Sequence, residues 1–230
     1  MKKIKRNKPL VLVLVLMICG GLVLSTVMAY FVSRAASPQE DPEEIYKSQA
    51  AQIETLIEEL EKELENDPEN TSLLTQLGHS YYTLGQIYAA LNEAEESSSY
   101  FAKALEPYGK VLELEPDNVD VRVDRALAAY ASDNKETAQD EFEQALADDP
   151  THARAHFNYG IFLYFAMNEP EEALAHWQEV VELNPEDEED LVATAETWIK
   201  AVETELAERE KEAEAEEEAD AEKESEEQAE

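Results

Sequence analysis

Four prolines close four similar phrases, and their spacing restricts the fold more than any other feature of the chain. The phrases are Leu64-Glu65-Asn66-Asp67-Pro68, Leu112-Glu113-Leu114-Glu115-Pro116, Leu146-Ala147-Asp148-Asp149-Pro150 and Val181-Glu182-Leu183-Asn184-Pro185. Their prolines lie 48, 34 and 35 residues apart. A period near 34 with a closing proline is the pattern of stacked helix–turn–helix pairs. Composition agrees. Ala, Glu and Leu dominate and favour helix, while only 6 glycines in 230 residues disfavour hairpin-dense sheets and Gly-rich phosphate loops.

A second spacing recurs inside the units. Ala104, Tyr108, Val111 and Pro116 are repeated as Ala138, Phe142, Ala145 and Pro150, and again as Ala173, Trp177, Val180 and Pro185. The small residue admits a partner helix, and the aromatic one turn later fills the space beside it. The first helix of each pair is also visible in Leu74, Leu77, Gly78 and Tyr81, and in Tyr159, Gly160 and Leu163. The middle unit is degenerate, with Arg122, Arg125, Ala126 and Ala129 in the matching places. On these residues the chain resembles the tetratricopeptide repeat family over about Asp67 to Asp187. Arg125 departs from the pattern where the family prefers a large apolar side chain, which places it at an edge of the array or against an acidic neighbour.

The first interval exceeds 34 by 14 residues, close to four helical turns. Apolar spacing stays helical through Tyr81, Tyr82, Leu84, Ile87, Tyr88 and Leu91, then through Tyr100, Phe101 and Leu105. Two lengthened antiparallel helices are therefore expected, with a kink or break at Pro107.

The expected fold is all-α: an N-terminal transmembrane helix, a tetratricopeptide-like solenoid, and a C-terminal capping helix. A basic stub occupies 1–9, the membrane helix 10–32 and a proline-containing linker 33–42. A lead-in helix covers 43–66, with Ile53, Leu56, Ile57, Leu60 and Leu64 on one stripe. Barely two heptads favour packing on the repeats over an independent coiled coil. Repeats fill 67–187, the first one elongated. A capping helix at 188–206 covers the last apolar face, and an acidic tail at 207–230 has nothing to bury and should be disordered.

The 54 acidic and 18 basic side chains give a formal charge of −36. All the acids fall after residue 36, with 12 of the basics, so residues 37–230 carry −42. Such a balance argues against nucleic acid, whose phosphates require Lys and Arg. Five positive charges precede Leu10–Val32, and that uncharged segment is long enough to cross a bilayer. The bias of Lys and Arg holds the N-terminus in the cytoplasm and places the repeats outside. A cleaved signal peptide ending at Val27-Met28-Ala29 is the competing reading, disfavoured because the apolar run exceeds the usual 7–15 residues. Cys19 follows Ile18 rather than a small residue, so a lipoprotein anchor is disfavoured too. Gly21-x-x-x-Ser25 is weak evidence for helix pairing.

The family resemblance implies ligand contacts along the first helix of each unit. Residue by residue, these positions are Ser72, Thr75, His79 and Tyr82, then Asp120, Val123, Leu127 and Tyr130, then Arg154, Phe157, Ile161 and Tyr164. Tyr82, Tyr130 and Tyr164 occupy equivalent places and form either an aromatic ladder or an inner packing seam. The resemblance implies a protein partner and, by analogy, a role in bacterial envelope assembly or secretion; the −42 charge suits a basic partner, and the anchor a membrane-associated one. The residues by which some chaperone-binding relatives clamp a terminal carboxylate are missing. His152 and His156 are four apart, yet His152 should precede the helix and no third ligand completes a metal site. His79 and His176 read as isolated surface or groove residues. No nucleophile elbow, Gly-rich loop or zinc motif occurs, and no cofactor is implied. The leading expectation is a non-enzymatic, membrane-anchored scaffold; an acidic spacer without a groove ligand is the alternative. Oligomeric state is not legible.

Overall fold

The computed structural model describes residues 41–227 apart from 187. The expected stub at 1–9, membrane helix at 10–32 and nearly all of the linker lie outside the described residues. Within them the structure is helical, with no strand, and it divides into two compact units that meet in sequence at Pro150 and Thr151. No described helix is long and apolar enough to cross a membrane.

The first unit contains α1 (Pro42–Leu64), α2 (Thr71–Ala90), α3 (Ala94–Leu114), α4 (Val119–Ala131) and α5 (Lys135–Asp148). Pro42 starts α1 because a proline at the first position forfeits no helical hydrogen bond, and Asp41 caps it by accepting from the Glu43 amide at 3.1 Å. The apolar stripe of α1 buries Ala50, Ile57 and Leu60 against Leu77, Leu84 and Ile87 of α2. That is the packing expected of a lead-in helix, and it leaves Leu56 39% exposed.

The long first interval is divided evenly. α2 has 20 residues and α3 has 21, against 13 in α4 and 14 in α5. Each long helix thus carries seven extra residues, two turns, and the packing rule is repeated within the extension. A Cβ on Gly78 would lie 2.4 Å from the Tyr108 ring, and one on Gly85 would lie 2.7 Å from the Phe101 ring. Gly85 follows Gly78 by seven residues, as Tyr108 follows Phe101. Both contacts fall on one stripe of each antiparallel helix, because seven residues bring the helix back to nearly the same face. Helix α3 runs without a break through Pro107, which is buried. The expected break does not occur; a proline there costs the bond to the Lys103 carbonyl, and burial of Phe101, Ala104, Tyr108 and Val111 on either side holds the helix together.

The second unit contains α6 (Ala153–Phe162), a π-helical turn (Leu163–Met167), α7 (Pro170–Leu183) and α8 (Glu189–Glu227). Here Gly160 faces Trp177, with 2.6 Å between an added Cβ and the indole Nε1. The π turn explains why this repeat is one residue longer than its neighbour. Ala126 precedes the left-handed Asp133 by seven residues, whereas Gly160 precedes the left-handed Asn168 by eight. One extra residue is what a π turn absorbs.

Helix α8 begins as expected and buries Ala195 and Val202. It does not end at Leu206. It continues to Glu227, which corrects the expectation of a disordered tail. The reason is local: the extension is almost entirely Ala, Glu, Lys and Arg, all strong helix formers.

Candidate functional site

The first helix of each repeat is bounded by the same chemistry. Asn70 accepts from the Leu73 amide, Asn118 from the Val121 amide and His152, through Nδ1, from the Ala155 amide, each at 3.1 Å. Each cap stands two residues after a closing proline. At the far end, Asn92, Asp133 and Asn168 take left-handed conformations that short polar side chains tolerate. These fixed ends set which residues face outward.

In the first unit, His79 on α2 and Asp124 on α4 meet at 2.9 Å between Nε2 and Oδ2. The His79 side chain is 54% exposed and Asp124 16%. The imidazole also lies edge-on to Tyr108, with ring centres 5.7 Å apart. Tyr82 is half-buried with its ring 5.0 Å from Phe101, and Tyr130 is half-buried. Leu127 and Val123, expected to line the same face, are buried. Their apolar side chains are drawn out of water, so neither offers surface to a ligand.

The second unit divides its candidates similarly. Arg154 and Tyr164 are half-buried, whereas Phe157 and Ile161 are buried and belong to the core. The Phe157 carbonyl accepts from the Trp177 indole at 3.1 Å. Tyr164 sits in the π turn and donates its hydroxyl to Glu205 of α8. Its ring joins Phe165, Trp177 and Trp198, with the two indoles stacked at 5.5 Å. The tyrosines at equivalent positions therefore serve partly as packing, and Tyr164 is engaged by the final helix.

Three arrangements lay beyond the sequence reading. Arg125 pairs with Glu141, which also meets Arg122 at 3.1 Å; Arg122 in turn meets Asp148 at 3.1 Å and donates to the Pro116 carbonyl at 2.7 Å. The degenerate middle unit thus holds its helices with a largely buried ion network where its neighbours use apolar contacts. The acidic neighbour weighed for Arg125 is Glu141.

His176 is not isolated. Its Nδ1 lies 2.9 Å from Nδ1 of His156, and its ring is 4.8 Å from Tyr159. Burial, and secondarily the nearby His156, depress its pKa to about 4. The signal in the sequence was faint: His176 directly precedes Trp177, and His156 lies one turn before Gly160, which Trp177 covers. Because His152 caps α6 and His156 turns to His176, the four-residue spacing makes no chelate. Among the described residues no group of three or more His, Cys, Asp or Glu could hold a metal.

The third arrangement is a stack of tyrosines on α2 and α3. Tyr100 lies between Tyr88 and Tyr81, at 5.2 and 6.4 Å between ring centres. Tyr81 donates to Glu61 at 2.6 Å and Tyr88 to Glu54 at 3.2 Å. Burial, then Glu54, pushes the Tyr88 phenol up to about 12, and burial with the Glu61 hydrogen bond raises Tyr81 as well. Both stay protonated donors at physiological pH.

Comparison with known proteins agrees with this geometry. Tetratricopeptide repeat models match residues 78–106 and 129–199. No curated protein matches the chain. Among solved structures, the human IFIT1 dimer with PPP-AAAA is similar with a TM-score of 0.60 at 20% identity, over 73% of this chain and 38% of that one. A crystal structure of MamA gives a TM-score of 0.49 at 21% identity, over 75% and 94% of the two chains. The Sgt2 TPR domain from Aspergillus fumigatus gives 0.44 at 19%, over 58% and 82%. At such identities a likeness concerns the fold alone. With the proline-closed register, the small–aromatic helix contacts and the two matched segments in agreement, the chain carries tetratricopeptide repeats at 78–106 and 129–199.

Proposed function

We propose that this protein is a membrane-anchored scaffold whose repeats hold a segment of a protein partner outside the cytoplasm. The observation that carries the reading is the exposed face joined by His79 and Asp124. There, first helices of successive repeats meet and present polar and aromatic groups, Tyr130 among them, whereas the Tyr82 hydroxyl is buried. Aromatic side chains with one wet edge supply contact area together with a hydrogen-bonding tip, a combination favoured at protein interfaces. Leu127 is buried in the first unit, and Phe157 and Ile161 in the second, so the reading does not rely on them as contacts to the partner.

Anchoring rests on Leu10–Val32 and the basic residues before it. An anchor confines the repeats to the membrane surface and raises the effective concentration for a partner held there. Absence of nucleophile, metal and phosphate-loop motifs from the sequence supports a binding role over a catalytic one.

Partner capture by the full chain with Tyr130→Ala tests the reading. Truncating a central interface tyrosine should weaken capture about tenfold or more. Capture unchanged by both Tyr130→Ala and His79→Ala would favour the spacer reading instead.

A further inference from the structure

We propose that the tyrosine stack on the first repeat is a second binding surface, one that accepts a lysine or arginine side chain from a basic partner segment and is occupied at rest by Lys103. The surface lies on a different side of α2 from His79. At 100° per residue, Tyr81 and Tyr88 share one stripe, and His79 falls on nearly the opposite side. Three helices converge: Tyr81 and Tyr88 from α2, Tyr100 from α3, and Glu54 and Glu61 from α1.

Three observations identify the occupant. The first is that an ammonium group is already seated there, with Lys103 Nζ 4.4 Å from the Tyr100 ring centre and 5.9 Å from that of Tyr81. Those distances are within the range at which a cation is attracted to the face of a ring. The second is a shallow, open surface beside it on α3, formed by Glu95, Glu96, Ser99, Tyr100 and Lys103. That surface brings Glu95 and Glu96 together with Tyr100, whose ring Lys103 already covers. The third is charge: Lys103 is exposed, while Glu54, Glu61, Glu95 and Glu96 bring four carboxylates to the patch. The phenols are committed as donors to Glu54 and Glu61, which fixes the rings as a platform. Lys103 therefore acts as an internal competitor, and a partner's cation replaces it without loss of ring contact.

The test is titration of the full chain in detergent with a fluorescent ten-residue peptide of alternating Lys and Ala, read by anisotropy near 150 mM salt, where exposed long-range attraction is screened. Lys103→Met should tighten binding about two- to fivefold, the worth of one exposed cation–ring contact. Lys110→Met removes the same charge one helical segment away and is the control. Tyr100→Leu should loosen binding by a similar factor and Tyr100→Phe should restore it, with circular dichroism confirming that both remain folded. Glu95→Gln with Glu96→Gln should also loosen it. Equal effects of Lys103→Met and Lys110→Met would overturn the proposal, as would a Tyr100→Leu protein that is folded yet binds normally. Failure of the Tyr130 experiment would leave these outcomes intact, since no residue is shared.

Discussion

Three glycines meet aromatic rings closely enough that no side chain fits without movement. Tyr108, Phe101 and Trp177 are 1% exposed or less, so none of the rings can swing aside. Gly78→Ala and Gly160→Ala should each destabilise by about 1–3 kcal/mol, the usual cost of overpacking, measurable by urea denaturation. The buried ion network makes an opposite pair of expectations. Glu141→Ala strands Arg125, while Arg122 keeps Asp148 and the Pro116 carbonyl, and should cost about 3 kcal/mol, whereas replacing Arg125 and Glu141 together by Leu should cost far less. The His156–His176 pair predicts a pH response. The folded pKa of His176, about 4, lies below the usual value of 6.5, so the unfolded chain binds the proton more readily. That contribution to stability is complete above pH 6.5 and is lost progressively as pH falls towards 4, by an amount on the order of 2 kcal/mol. A His176→Phe variant should show a flatter stability profile across that window. A variant with the slope of the unmodified chain would mean that this pair does not govern it.

At the scale of helices, the sequence disclosed most where one residue type repeats at one spacing. Closing prolines, small–aromatic pairs and the uninterrupted apolar rhythm of Tyr81 to Leu91 were enough to locate helix pairs and the lengthened first one. The capping side chains Asn70, Asn118 and His152 were not read as caps, although each follows a proline by two residues. What escaped was contact across repeats and between polar groups. Nothing local in Glu141 distinguishes it from the many carboxylates around it, and its two arginine partners lie on a different helix. The burial of Leu127, Phe157 and Ile161 escaped for a related reason: equivalence in the repeat fixes the direction of a side chain, but its burial depends on neighbours that periodicity does not describe. Helix propensity alone accounts for the extension of α8. A segment held by propensity adds little to the stability of a fold, so trimming residues 214–230 should leave the unfolding free energy unchanged within about 0.5 kcal/mol.

For the whole molecule, the formal charge of −36 conceals a positive N-terminus and an acidic remainder. The acidic part would speed encounter with the basic segment proposed above, an effect that falls with salt. The positive end governs the proposed orientation. If Leu10–Val32 is an anchor, alkaline washing should leave the protein in the membrane, and its N-terminal mass should include residues 1–9. A mature N-terminus near Tyr30 would instead mean that the segment is a removed leader. The interaction role is the central claim, and photo-crosslinking in intact cells addresses it most directly. A photoreactive residue placed at 79 or 130, on the joined face, should capture the same protein partner, and one placed at the exposed position 147 of α5 should not. Adducts absent from 79 and 130, or identical from all three positions, would contradict the account.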